Sequence, residues 1–426
     1  MTVTVFLGSL LGAMAIGTPI AFALLLCGVA LMFHLDLFDA QIVAQNVING
    51  ADSFPLVAVP FFMLAGEVMN AGGLSRRIVA VAMALVGHIR GGLGYVAILA
   101  SCILASLSGS AVADAAALSA LLVPMMVRAG HDKARSCGLI AAGGIIAPII
   151  PPSIGFILFG VAANVSITKL FLAGIFPGLM LGLGLVAAWW LVVRHEDLAP
   201  PPRATKGEVA AAVKDGFWAL MLPGIIIFGL KFGIFTPTEA AVVAAVYALF
   251  VAVVVYRELK PSQLFELFAS AATTTAVVMF LVAAAMVSAW MITIANLPAQ
   301  VADMLEPFMG SPTLLMAAIM VLVVIVGTAM DMTPTILILT PVLMPVIKQA
   351  GIDPVYFGVL FIINNAIGLI TPPVGTVLNV VAGVAKLNMG SLMRGVWPFL
   401  LAQLLVLALL VLFPSLVMVP ARWFAG

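Results

Sequence analysis

Apolar runs follow one another along almost the whole chain, broken by short clusters of Gly, Pro, Asn, Asp and basic residues. Only residues 195–216 form a long polar stretch. Runs of this length read as helices in lipid, and the ten-residue alternation of a membrane β-barrel is not seen. The pattern predicts an all-α polytopic membrane protein. Some runs are short and come in pairs around a polar, Gly-containing tip: 92–107 with 114–129, and 312–327 with 334–349. These pairs predict re-entrant hairpins, about 92–129 and about 312–349, because Gly/Pro backbone facing lipid would leave polar groups unsatisfied.

The pattern also repeats. At one fixed offset Pro124 matches Pro345, Gly130 matches Gly351, Pro151 and Pro152 match Pro372 and Pro373, and Gly174 matches Gly395. Upstream, IGTPIAFAL (16–24) answers IFTPTEAAV (234–242) at a slightly smaller offset, so a small indel separates the two registers. Such self-similarity divides the chain into a first repeat, 1–194, a cytoplasmic linker, 195–216, and a second repeat, 217–426. Each repeat reads as two spans meeting at a Thr-Pro turn, an amphipathic stretch, one span and a second amphipathic stretch. A hairpin, a Pro-broken helix (about 133–167 and about 353–386) and a last span follow. Five crossings per repeat invert the second against the first.

Charge tests that topology. With the N-terminus outside, the basic residues gather on the cytoplasmic side of short loops. Of the 18 Lys and Arg, only Lys169, Lys231, Lys348 and Arg422 fall outside. Both termini are then periplasmic. The opening MTVTVFLGSLLGAMAIG has no basic n-region, and reads as a retained span rather than a signal peptide.

The net charge of +1 points to no nucleic-acid partner. Cys27, Cys102 and Cys137 lack metal-ligand spacing and read as reduced packing residues. His34, His88, His131 and His195 map to interfaces or loops, which disfavours a proton relay, and Glu67 reads as structural. GxxxxGK[ST] and HExxH motifs are absent, as is a hydrolase triad, so the chain does not read as an enzyme or a self-contained ATP pump. Energy would come from an ion gradient or another subunit.

Inverted repeats with interrupted helices at matching places point to a secondary transporter with its site near the midplane. SLSGSAVADAA (106–116) would form the first tip, where Ser106, Ser108, Gly109 and Ser110 offer hydroxyls and freed carbonyls to a cation. VGTAMDMTP (326–334) is its counterpart, with Gly327, Thr328, Asp331, Thr333 and Pro334. Facing them, Pro148, Pro151, Pro152, Pro372 and Pro373 force unwinding within AAGGIIAPIIPPSIG and INNAIGLITPPVG. Half-helix ends there favour anions or cations, and Ser153, Asn364, Asn365, Thr371 and Thr376 add ligands for substrate or ion. For a single serine, close helix packing is the simpler reading; recurrence of both constellations favours a site. Asp114 and Asp331 are expensive in apolar surroundings unless paired or coordinated. Each also reads as a helix N-cap opening the second arm of its hairpin.

Over essentially its whole length the sequence resembles the large membrane subunit, the M or DctM type, of tripartite ATP-independent periplasmic (TRAP) transporters. SGSAVADAAAL (108–118), APIIPPSIGFILFG (147–160), GTAMDMTPTILILTPVLMPV (327–346) and GIDPVYFGVLFIINNAIGLITPPVGTVLNV (351–380) carry the resemblance. It implies an elevator-type, sodium-coupled importer in a bacterial inner membrane. Hairpins and broken helices would form the moving domain. The Thr-Pro spans and amphipathic arms, about 37–51, 74–88, 259–271 and 298–309, would form a scaffold. A small four-helix membrane subunit would enlarge that scaffold, and a periplasmic substrate-binding protein would deliver an organic acid. One Na+ site would use Ser106, Ser108, Gly109, Asp114, Gly143 and Pro148. A second would use Gly327, Thr328, Asp331, Thr371 and Gly375. The substrate carboxylate would lie between them, against Ser110, Ser153, Thr333, Asn364, Asn365 and Thr376; no dedicated substrate arginine is identified. C4-dicarboxylates, sugar acids, keto acids and sialic acids all remain open as substrates. Competing readings are a stand-alone ion-coupled carboxylate carrier and a channel or scaffold whose hairpins only pack.

Overall fold

A computed structural model describes residues 2–194, 202–372 and 374–425; Pro373 and linker residues 195–201 fall outside these. The first repeat opens with α1 (Thr2–Ala15), α2 (Ile20–His34) and α3 (Ala40–Ala51). After a 3-10 turn at Phe54–Val57 come α4 (Ala58–Ala71) and α5 (Leu74–Val86). The first hairpin is α6 (Gly92–Ser108) with α7 (Ala111–Arg128), the broken helix is α8 (Lys133–Gly144) with α9 (Ile154–Ala163), and α10 (Ile167–Val193) closes the repeat. The second repeat runs through α11 (Lys206–Lys231), α12 (Pro237–Phe250), α13 (Pro261–Ile294) and α14 (Leu297–Leu305). Its hairpin is α15 (Pro312–Ala329) with α16 (Met332–Gln349), and its broken helix α17 (Pro354–Gly368) with α18 (Thr376–Ala385). The chain continues as α19 (Met389–Leu412) and α20 (Ser415–Ala425).

Local chemistry explains where these helices start. Asp132 and Asp353, at matching places in the two repeats, cap the first half of each broken helix, accepting from Arg135 N at 2.8 Å and from Val355 N at 2.8 Å. Ser166 and Asn388 cap the two last spans in the same way. The Thr-Pro turn before α12 is a full capping box, Thr236 with Glu239, and Pro237 sits where its missing N–H costs nothing.

Four features depart from the sequence-based expectation. The connector is shorter than 195–216, because Thr205 and Glu208 form a capping box and start α11 at Lys206. The arm expected at 259–271 is not separate: it continues without a break into the following span, giving one helix of 34 residues, about 50 Å long. No proline or glycine interrupts its interior, whereas Ser53 and Pro55 separate α3 from α4. Pro414 stops the last span, so α20 is a distinct helix. Among the described residues eight helices are long and apolar enough to cross a membrane on length and composition alone; α1 and α2, at 14 and 15 residues, are shorter.

The repeats interlock by exchange. Span α4 packs on α12, and its counterpart α13 packs on α2; hairpin arm α7 packs on α18, and its counterpart α16 packs on α9. In the α2–α13 contact the Ser288 hydroxyl donates to Leu24 O at 2.6 Å and lies 3.2 Å from Cys27 Sγ. Where α8 crosses α19 the backbones touch, since a Cβ on Gly138 would lie 2.6 Å from Gly395 O. Only glycine permits that approach.

The two polar ends of the molecule are marked by charge. At one, Arg77 bridges Glu258 at 2.7 Å and Asp215 at 3.2 Å and stacks 3.7 Å above Tyr256, joining α5 to the second repeat. Burial opposes its charge, but the two carboxylates still hold the Arg77 guanidinium above its ordinary value. At the other end of α11, Lys231 lies 4.4 Å over the Trp423 ring of α20.

Candidate functional site

Each hairpin tip lies against the break of its own repeat. In the first, the chain turns at Gly109, whose φ of +62° is left-handed, and a Cβ there would lie 2.6 Å from Pro152 O. The Ser108 hydroxyl donates to Asp114 Oδ1 at 2.5 Å and accepts from Ser110 N at 3.2 Å. Ser106 turns its hydroxyl to Ile103 O. Asp114 is not the cap. Ser110 is, accepting from Ala113 N, and Asp114 sits in the first turn of α7, where the helix dipole favours a carboxylate. Its Oδ2 is buried and has no hydrogen-bond partner among the described residues.

The first break opens after Gly143 and Gly144, and contains a cis Pro151–Pro152 bond. Gly143 O accepts from Ile146 N at 3.1 Å, and Pro148 O accepts from the Ser153 hydroxyl at 2.5 Å. A carbonyl has two lone pairs, so Pro148 O keeps one for another ligand, whereas Gly143 O also accepts from Ile145 N. Ser153 is fully buried and also caps α9, accepting from Phe156 N at 3.1 Å. Its hydroxyl is thus committed to holding the break in shape.

The second tip is built differently. Asp331 occupies the N-cap position of α16 but caps nothing; its exposed carboxylate accepts from the Thr376 hydroxyl, on the first turn of α18, at 3.3 Å. Thr328 donates to Ile325 O, and Thr333 stands partly exposed beside them. Gly327 meets Gly368 so closely that a Cβ on Gly368 would lie 2.9 Å from Gly327 Cα. Asn365, 1% exposed, turns its amide N–H to Phe361 O at 3.1 Å and leaves Oδ1 unpartnered, 3.8 Å from where a Gly327 Cβ would lie. Asn364 donates to Met320 O at 2.6 Å, tying the break to the first hairpin arm. Thr371 back-bonds to Ile367 O, and Gly375, with φ of +45°, turns the chain into α18.

The two constellations adjoin, for Met332 Cε at the second tip would lie 3.1 Å from a Cβ on Gly155 just past the first break. Span α4 closes on the same place, with Gly66 against Ser108. Polar oxygens with no protein partner are costly when buried. Among the described residues, those of Asp114, Asn364 and Asn365 lie on a tip or a break. Such an arrangement can hold a hard cation through carbonyl, hydroxyl and carboxylate oxygens and present half-helix N-termini to an anion.

Other polar groups were not foreseen. Ser101 faces Gly143 and is buried, its hydroxyl without a partner among the described residues. Gln403 of α19 crosses to the first break, donating to Ala142 O at 3.4 Å. Ser119 and Thr340, related by the same offset as the matched prolines, are buried hydroxyls on equivalent turns of the two second arms. The offset alone identifies that last pair; Gln403 stands out in the sequence as the lone amide of LLAQLLVLALL.

The fold resembles that of a solved transporter, YdaH of Alcanivorax borkumensis, with a TM-score of 0.65 at 17% identity, over 92% of this chain and 91% of that one. Relatives by sequence are far nearer. The 2,3-diketo-L-gulonate TRAP transporter large permease protein YiaN of Escherichia coli is 60% identical over 99% of this chain and 100% of its own length. The sialic acid TRAP transporter large permease protein SiaM of Vibrio cholerae is 38% identical over 98% and 97% of the two chains. The C4-dicarboxylate TRAP transporter large permease protein DctM of Pseudomonas aeruginosa is 36% identical over 92% of each. The family described as the DctM component of the tripartite ATP-independent periplasmic transporter matches residues 7–416. Paired hairpins and breaks, identity along the full length and the family match agree: this chain belongs to the DctM family of TRAP transporters and is a large permease subunit, a multi-pass membrane transport protein rather than an enzyme.

Proposed function

We propose that this subunit imports an organic acid, coupled to sodium, by an elevator movement of the hairpins and broken helices against the scaffold. The observation that carries the reading is the seating of each tip on its own break, Gly109 on Pro152 and Gly327 on Gly368, with unpartnered oxygens between. Cation ligands supplied half by a tip and half by a break tie tip closure to ion binding. The first sodium takes oxygens around Ser106, Ser108, Gly109 and Asp114 with Gly143 and Pro148. The second takes those around Gly327, Thr328, Asp331, Thr371 and Gly375. A substrate carboxylate sits between them near Ser110, Thr333, Asn365 and Thr376, with Asn364 and Ser153 holding the breaks in shape.

The substrate we favour is a sugar-derived keto acid. Support comes from the relative with 60% identity, whose name carries 2,3-diketo-L-gulonate, against 38% and 36% for those named for sialic acid and C4-dicarboxylates. Family membership supports a small membrane subunit and a periplasmic binding protein as partners, and a bacterial inner-membrane location. Periplasmic termini follow from the basic residues, and the shared end of Arg76, Arg77, Asp215 and Glu258 agrees with that topology.

Uptake into proteoliposomes tests the reading. The complex is reconstituted with its small subunit, with and without an inward sodium gradient and with and without the binding protein, using the ligand that the binding protein retains on purification. Uptake that needs both supports the tripartite importer. Uptake on sodium alone would indicate a stand-alone carrier, and sodium-independent uptake would remove the ion sites.

A further inference from the structure

At the polar end marked by Arg77, a cavity of about 680 Å³ lies between α5 and the start of α11, lined by Leu85, His88, Arg203, Lys206, Val209 and Val213. It belongs to neither hairpin nor break. Its walls are divided by chemistry: Leu85 and Val213 are 45% and 37% exposed, an apolar floor continuous with the surface of two helices. The same cavity is lined by His88, Arg203 and Lys206. Neither Arg203 nor Lys206 makes an ion pair among the described residues. Among the described residues the acids of α11 near its start are committed elsewhere, for Glu208 accepts from Thr205 N at 2.6 Å in the capping box and Asp215 pairs with Arg77. His88 Nδ1 is buried with no hydrogen-bond partner among the described residues. Two cations, an imidazole and the N-terminal turn of α11 thus face one space whose floor is hydrocarbon.

We propose that this cavity binds the headgroup of an anionic phospholipid, the phosphate held by Arg203, Lys206 and His88 and an acyl chain laid along Leu85 and Val213. An amphiphile is favoured over a soluble anion because the apolar floor would otherwise stay wet, and basic clusters at the ends of membrane helices attract acidic lipid. The lipid would join α5 of the first repeat to α11 of the second, beside the Arg77 bridge, and so brace the static half of the molecule. The membrane leaflet it occupies rests on the proposed topology; binding itself does not.

Native mass spectrometry of the full-length chain in detergent tests this without any transport assay, so its failure is distinct from failure of the proposed function. Phosphatidylglycerol and phosphatidylcholine of matched acyl chains are titrated separately. Wild type is expected to retain phosphatidylglycerol on the order of tenfold more tightly. R203Q/K206Q is expected to lose that preference, and a remote control, K348Q, to keep it. H88F, which keeps both cations, is expected to weaken the preference partly, so the site is probed a second way. Equal retention of the two lipids by wild type would overturn the proposal. So would an unchanged preference in R203Q/K206Q, or displacement of the lipid by millimolar inorganic phosphate, which would mark a soluble-anion site.

Discussion

Ser110 and Asp331 hold the same N-cap position, at the start of the second hairpin arm of their respective repeats, yet they do different work. Ser110 caps its helix, accepting from Ala113 N at 3.4 Å, while Asp331 leaves its helix uncapped and accepts from Thr376 of the facing break at 3.3 Å. The buried carboxylate of the first tip, Asp114, has Thr335 as its true counterpart, a hydroxyl that back-bonds to Asp331 O at 2.8 Å. The two aspartates are therefore not equivalent. One is inside its own hairpin, and the other bridges hairpin to break.

Asp331→Ala is expected to cut sodium-driven uptake by tenfold or more, the scale of a lost hydrogen bond to a charged group of about 1.5–3 kcal/mol. Folding should be retained, because Asp331 is exposed and caps nothing. Thr376→Ala should raise the half-saturating sodium concentration, and the double variant should do little more than Asp331→Ala alone. Wild-type uptake by Asp331→Ala would remove it from the site.

Gly109→Ala should destabilise the first tip. A left-handed residue with a Cβ costs roughly 1–2 kcal/mol, before the contact 2.6 Å from Pro152 O is counted. Gly383→Ala, in a helical position with nothing within 4 Å, is the control and should be neutral. Thermal unfolding with and without sodium reads the difference, and equal behaviour of the two variants would dissociate the tip from the break.

Asn46 of α3 and Leu337 of α16 line one cavity of about 270 Å³ between an arm and a hairpin. If those elements slide past one another, a cleavable bismaleimide joining cysteines at both positions, in a background lacking Cys27, Cys102 and Cys137, should arrest uptake. Cleavage of the linker should restore it. Full activity while cross-linked would exclude relative movement of α3 and α16.

The start of α11 should be acid-sensitive. Glu208 lies in the polar turns that precede the apolar part of this helix, and backbone and hydroxyl hydrogen bonds from Thr205 hold its carboxyl below the ordinary value. A depressed folded value means the cap contributes above the unfolded carboxylate range and is lost as pH falls through the folded value. Hydrogen exchange at residues 206–209 should therefore speed up below the usual carboxylate range, and Thr205→Ala should show fast exchange at all pH values.

Much of this architecture is a matter of local stereochemistry, which a sequence carries directly. Hydropathy determined that the chain lives in lipid, the self-match at one offset determined that it has two like halves, and clustered Gly and Pro determined where the two breaks fall, because φ limits and a missing N–H act on the residue itself, although single prolines such as Pro177 and Pro398 sit inside continuous helices. Tertiary structure alone decided which groups are spent and which are free. Ser153 is consumed by its cap, Asn365 keeps an oxygen, Asp331 reaches Thr376, and Gly138 meets Gly395. The cavity at Arg203 belongs here too. Each depends on which distant segment lies alongside, and hydrogen-bond saturation and close packing are properties of that neighbour, not of the residue's place in the chain.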